Sequence, residues 1–403
     1  MTEHSPKLNS SDFVRSTVPD ERLQPVPPAS RLINAANLRD GGGPAVAVSF
    51  IYDLSRWPEE AGKYAVLVSE YVDRNLRALS CDTGVFREYH VQSHYGLAGL
   101  RGGLGSELRR FDLVFTVFGP CYALGYKGQH LVGFADPWVA YPRNEIYAQL
   151  SWLRGLKTRF EWFVRELFYL NSTLLVCELE HVPIALKENT FLARRRMEIV
   201  HSAIPSVYLE RDHWREVAIP RQDGVLNLGL ISRNYLHKNL AILPGIKRVL
   251  REKYGLTAEI YVTFADGEWR ACSEEFRAAV TNVGLLTLAQ CPAFYSAMDV
   301  VVFPSLLECF SAVPIEALYL EKPLVASDRP FVRDCCGDYA VYFDPINNAE
   351  ATAAEAVVAA IKRTSADPEY LKRASRHVLK FGSSERRSRE YLQLIERHVH
   401  ESR

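Results

Sequence analysis

The chain has 403 residues, more than one hydrophobic core usually serves, so two domains of roughly 150 to 200 residues each are expected. Apolar residues make up 48% and charged residues 24%, and Lys plus Arg equals Asp plus Glu at 48 each. That balance excludes a disordered or fibrous chain and any global field for binding polyanions, so an anion site has to be local. No apolar run approaches the ~18 residues of a membrane span, and the N-terminus lacks the apolar segment of a secretory signal, so a cytoplasmic protein is expected. Eight scattered cysteines without a CxxC pair read as reduced thiols rather than a disulfide framework or a zinc site.

Residues 1–30, rich in Ser, Pro and charge, read as a mobile arm. From 31 onward short apolar runs at 31–36, 113–118, 129–134 and 173–177 read as buried parallel strands. Stretches of helical spacing at 105–111 and 152–170 lie between them. In the second stretch Trp152, Leu156, Phe160, Phe163 and Leu167 recur three or four apart, interleaved with Arg154, Lys157 and Arg159. This is compatible with an interfacial helix at a membrane surface, while a core helix with a charged outer face is the plainer reading. The strand-helix unit spans 31–215, and a polar break at 208–224, closing on an Asp-Gly turn, reads as the linker.

A second series occupies 224–380, with strands at 225–231, 258–264, 300–303 and 324–326 and helices at 240–254, 292–297 and 314–320. The end of the chain, 384–403, reads as one amphipathic helix with Tyr391, Leu394, Ile395 and Val399 on a face that suits either domain. Two doubly wound Rossmann-like units leave a cleft at the carboxyl ends of their strands, where α/β sheets bind ligands.

Four segments carry chemistry. In 300–328 a strand runs into a turn and a helix, bracketed by Glu308 and Glu316. Backbone N–H groups around Cys309, Phe310 and Ser311 can meet a ligand oxygen at the helix start, and a carboxylate at Glu316 suits a ribose diol. In 229–239 Arg233 and Lys238 follow a strand, a spacing that fits either a diphosphate grip or a solvated pair. In 37–44 the glycines Gly41, Gly42 and Gly43 follow a strand and permit close backbone approach, as would any flexible loop. At 129–142 Asp136 follows a strand, as a contact to sugar or as a turn cap before Pro137. His90 and His94, four apart, lie in a strand-like context with no third ligand, and no DxD pair follows a strand, so no metal site is expected.

The composite FPSLLECFS, EAL, KPLVASD and GDYAVYFDP, with Glu308 and Glu316 separated by seven residues, resembles glycosyltransferase family 4. The resemblance is specific over 224–345. It implies a GT-B fold, an acceptor domain at 31–215, a nucleotide-sugar donor domain at 224–380, and sugar transfer with retention and without metal or cofactor. It assigns Glu308 to the donor sugar, Glu316 to the ribose, Arg233 and Lys238 to the diphosphate, and the loop with Gly42 and Gly43 to the facing wall. The family often has Gly where Ser311 stands, and a histidine where this chain has Asp136. The expected function is transfer of a sugar from a nucleotide-sugar to a glycan or lipid-linked acceptor in surface polysaccharide biosynthesis, with visits to the inner membrane surface. The rival readings are an inactive scaffold subunit, a sugar-nucleotide epimerase, or a phosphorylase, for whose pyridoxal lysine no distinctive segment is present.

Overall fold

The computed structural model describes residues 30–39 and 41–401, so the expected arm, but for Ser30, and Asp40 lie outside the described residues. The first sheet contains β1 (Arg31–Ala35), β2 (Tyr64–Val68), β3 (Glu88–Val91), β4 (Leu113–Thr116), β5 (Gln129–Gly133), β6 (Leu174–Cys177) and β7 (Arg196–Ile199), in the order β3-β2-β1-β4-β5-β6-β7. The second contains β8 (Val225–Gly229), β9 (Thr257–Val262), β10 (Thr281–Asn282), β11 (Val300–Phe303), β12 (Leu324–Ser327) and β13 (Val341–Phe343), in the order β10-β9-β8-β11-β12-β13. Every pairing is parallel.

Parallel strands need helical crossovers that cover both faces, and for this reason the inner strands are largely apolar. All five residues of Tyr64–Val68 and all four of Leu113–Thr116, Leu174–Cys177 and Val300–Phe303 are buried. In each sheet the strand order reverses beside the first strand, between β1 and β4 and between β8 and β11. Crevices form at such switch points, and the segments after β1, β5, β6, β8 and β11 lie around them. The expected helix at 240–254 begins later, at Leu243–Tyr254, because Asn239 adopts a left-handed backbone (φ 54°) that stops a helical turn and starts another. The helix expected at 314–320 starts earlier, as Ala312–Tyr319, with Pro314 inside its first turn where a missing N–H costs little.

Helix Ser384–Glu401 resolves the question of its partner. It crosses back onto the first domain, and Tyr391 sets its ring 5.3 Å from Phe50 and 5.0 Å from Phe115. Leu394, Ile395 and Val399 join the same buried cluster, Ser388 donates to Asp53 Oδ2 at 2.7 Å, and Arg387 and Glu396 bond Ser49 and Arg31. The chain therefore passes between the sheets twice, and the two passages pair, since Ile204 bridges Ser383 and donates its N–H to Gly382 O at 3.1 Å.

Helix Trp152–Tyr169 corrects the plainer sequence reading. It is not a core helix: only Glu166 and Tyr169 are buried. Trp152 is 74% exposed and Phe160 66%, and Leu153, Leu156, Phe163 and Leu167 are exposed with them. Among the described residues no helix is long and apolar enough to cross a membrane.

Candidate functional site

The turn after β11 is clamped from two directions. From its own domain, the His237 carbonyl accepts the Leu306 N–H at 2.8 Å and the Ser305 hydroxyl at 3.3 Å. Next to it Lys238 Nζ meets Glu308 Oε1 at 2.8 Å, with both side chains largely buried. The turns after β8 and β11 thus converge as the doubly wound topology requires. A pair so withdrawn from water holds only while both partners are present. Burial also holds His237 down to about 4, so this ring is neutral.

From the facing domain, His181 reaches across. Its Nε2 lies 2.8 Å from the Cys309 carbonyl, which can only accept, so Nε2 carries the proton. Nδ1 is then an acceptor and receives the Tyr141 hydroxyl at 2.6 Å. The His181 N–H donates to Asp334 Oδ2 at 2.8 Å, Arg329 pairs with Glu145, and burial lowers the His181 pKa. Cys309 itself is buried among first-domain residues that include Phe134, Val139 and Cys177, while Leu306 and Leu307 pack with Ile146. The motif turn is held by residues of both domains.

Beside the turn lies a cavity of ≈ 480 Å³ with Glu308, Cys309, Phe310 and His237 on one side and Asp136, Trp138, Trp162 and Glu178 among those on the other. Asp136 does not cap its turn through its side chain. Its carboxylate takes Arg165 at 3.0 Å and the Tyr169 hydroxyl at 2.9 Å, and burial raises its pKa against the pull of both. Glu178 is pushed up to about 7 by burial, which the neighbouring Ser202 hydroxyl and the Arg387 charge only partly oppose.

The remaining expected residues are placed less uniformly. Arg233 does not line the cavity: its Nε sits 2.9 Å from both oxygens of Glu268. Glu268 is partly buried, which raises its pKa, but the Ala265 N–H and Arg233 outweigh this and lower it. Glu316 is buried and does not line the cavity either. Burial raises it to about 7, although Tyr295 donates to it at 3.0 Å; the buried Tyr208 hydroxyl stands close by outside hydrogen-bond geometry. Glu316, assigned to the ribose by resemblance, therefore does not stand open in the cleft. Tyr208 and Tyr295, neither readable as its partner from spacing, enclose it.

Gly42 and Gly43 are not in a loop but in the first turn of helix Gly42–Ser55. Gly41 before them has φ 77°, and a Cβ on Gly41 or Gly42 would meet nothing within 4 Å. The start of that helix is bare backbone at the carboxyl end of β1. Ser311 is the buried residue preceding helix Ala312–Tyr319, and its hydroxyl makes no cap. Among the described residues no group of three or more His, Cys, Asp or Glu side chains is placed to hold a metal ion. Sequence reasoning missed Glu178, His181, Trp138 and Glu268; the position of Glu178 directly after a strand was the available signal.

Residues 268–380 match the family model described as glycosyl transferases group 1, a segment that includes Glu308 and Glu316 but neither Arg233 nor Lys238. None of the curated proteins matches the chain. Among solved structures, HepE of Anabaena, determined with UDP and glucose, is similar at TM-score 0.63 and 12% identity over 91% of this chain and 99% of that one. A glycosyltransferase from Rickettsia africae is similar at 0.63 and 13% over 92% and 99%. Sucrose-phosphate synthase from Thermosynechococcus elongatus is similar at 0.62 and 16% over 91% and 98%. The chain has the two-domain α/β architecture of GT-B glycosyltransferases.

The burial of Glu316 has a consequence for stability. Between its ordinary value near 4.5 and about 7, the folded state keeps a proton that the unfolded chain has released. Stability therefore falls as pH rises through that window and stays reduced above it. Glu316→Gln removes this loss, so the variant should gain on the wild type by about 3 kcal/mol between pH 4.5 and pH 8. Urea unfolding of both proteins at the two pH values measures it, and an unchanged difference would mean an ionised Glu316 in the fold.

Proposed function

We propose that the protein is a retaining, metal-independent glycosyltransferase that moves a sugar from a nucleoside-diphosphate sugar to a glycan or lipid-linked saccharide, as in the building of surface polysaccharide. The observation that carries this reading is the Lys238–Glu308 pair at the junction of the turns after β8 and β11, within a segment pattern and a fold shared with glycosyltransferases. A diphosphate entering there competes for Lys238 and leaves Glu308 facing the sugar. As the anomeric C–O bond to phosphate breaks, its electron pair leaves on the phosphate oxygen, where Lys238, with Arg233 drawn from Glu268, offsets the developing charge. The acceptor oxygen forms its bond on the same face, and its proton passes to the departing phosphate. Glu308 positions and stabilises; it is not a covalent nucleophile. The bare N-terminus of Gly42–Ser55 faces the donor from the other wall. Glu316 contacts the ribose in this reading, with the diol displacing the Tyr295 hydroxyl.

The outward face of helix Trp152–Tyr169 supports an acceptor met at a membrane surface. Trp152, Leu153, Leu156 and Phe160 alternate there with Arg154, Lys157 and Arg159, the composition of a helix lying in an anionic interface. Phe191, also exposed, joins this face through Phe163, ring to ring at 6.3 Å. Trp162 and Arg165 on the same helix turn inward to the cavity and to Asp136.

Two measurements test these assignments. In thermal-shift titrations with UDP, GDP, dTDP and CMP, one nucleotide should raise the melting temperature by mass action. Lys238→Ala should weaken binding of that nucleotide's diphosphate roughly 30- to 150-fold, a loss of about 2 to 3 kcal/mol, and spare the bare nucleoside. Equal weakening of both would remove Lys238 from the phosphate site. Separately, replacing Arg154, Lys157 and Arg159 by Glu should abolish sedimentation with vesicles rich in anionic phospholipid, and unchanged partitioning would refute the membrane placement.

A further inference from the structure

Three carboxyl groups reach one cavity from three strand ends. Asp136 follows β5, Glu178 follows β6 and Glu308 stands in the turn after β11, and all line the same ≈ 480 Å³. Among the described residues no Lys or Arg lines it, and the one imidazole that does, His237, is held neutral by burial. Asp136 and Glu308 are each matched by a cation set behind the wall, Arg165 and Lys238. Glu178 is 6% exposed and has no ion pair among the described residues. The rest of the first-domain wall is Ala135, Pro137 and two indoles. Trp138 and Trp162 lie parallel within 5°, with centroids 6.0 Å apart.

Such a wall sorts ligands by charge. A phosphate or carboxylate brought into it meets carboxyl oxygens and, among the described residues, no lining cation, with Arg165 and Lys238 already engaged by Asp136 and Glu308, so an anion is disfavoured there. An uncharged polyhydroxylated ring finds the opposite conditions, with carboxyl oxygens to accept its O–H groups and indole surface against its C–H face. An ammonium group would be accepted by the same oxygens.

We propose that the first-domain wall of this cavity is a sugar subsite selective for uncharged and amino sugars over uronic acids and sugar phosphates, with Glu178 as the residue that sets this selectivity. The inference rests on the glycosyltransferase reading and narrows its substrate class. Burial raises the pKa of Glu178 to about 7, which agrees with its place, since a carboxyl that keeps its proton more readily can donate to a sugar hydroxyl as well as accept from one. Asp136, committed to Arg165 and Tyr169, shapes the wall with fewer free lone pairs.

Saturation-transfer NMR on the full chain tests this without turnover, with glucose, glucosamine and glucuronate as probes at equal millimolar concentration. Glucose and glucosamine should receive saturation, and glucuronate should bind at least roughly tenfold more weakly. Glu178→Gln should close most of that gap and reduce glucosamine binding, and Trp162→Ala should weaken all three. The proposal is overturned if glucuronate binds the wild type as well as glucose, if no probe binds, or if Glu178→Gln leaves their order unchanged. Nucleotide thermal shifts on the same samples separate the two failures. Sugars that sort as expected without any nucleotide shift leave the subsite standing and remove the donor reading, whereas the converse removes the subsite alone.

Discussion

The Lys238–Glu308 ion pair organises the cleft, because burying either charge alone would cost several kcal/mol and each is therefore bound to the other's position. Lys238 belongs to the turn after β8 and Glu308 to the turn after β11, neighbouring strands of one sheet. Joining them draws the 305–308 turn against the His237 carbonyl. The same turn is gripped by the other domain, where His181 in a single tautomer takes the Cys309 carbonyl and Tyr141 secures the ring. Assembly of the motif turn and approach of the two domains are in this geometry one event. A diphosphate that claims Lys238 acts on the element that both domains hold.

That arrangement requires the domains to stay in register, and the returning C-terminal helix supplies a second tether. Its face of Tyr391, Leu394 and Ile395 is buried with Phe50 and Phe115 in the first domain, although the chain before it belongs to the second. The cleft also separates charge. Cations lie behind the cavity on the β8 side and beside Asp136, while its surface carries carboxyl groups and indole rings. A nucleotide-sugar has the matching polarity, with an anionic diphosphate at one end and a neutral ring at the other.

Much of the fold was legible because strands buried on both faces leave continuous apolar runs, as at Leu113–Thr116 and Val300–Phe303. Edge strands leave no such mark. Glu88–Val91 and Arg196–Ile199 are charged and half exposed, and Thr281–Asn282 has two residues. Periodicity located helix Trp152–Tyr169 but says nothing about which way an apolar face points, and here it points outward. The face of the last helix was readable, but its partner is a tertiary fact. At the site, Glu308 and Lys238 were visible through their motifs, yet 70 residues separate them and only the sheet order makes them a pair. His181 and Glu178 belong to no motif and become functional candidates only when β5, β6 and β11 aim at one cavity. Glu316 shows the reverse case, a motif residue whose enclosure by Tyr295 and Tyr208 depends on segments with no sequence signal for it.

The central claim is that the donor nucleotide binds where the turns after β8 and β11 meet. Hydrogen exchange of the backbone amides, read by mass spectrometry with and without a saturating nucleoside diphosphate, tests it most directly. The account predicts slowed exchange in 230–239 and 305–313 together, with the residues around His181 slowed as the domains tighten on the turn. Protection confined to another place, such as the groove lined by Trp57, Arg389 and Gln393 beside the C-terminal helix, would contradict it.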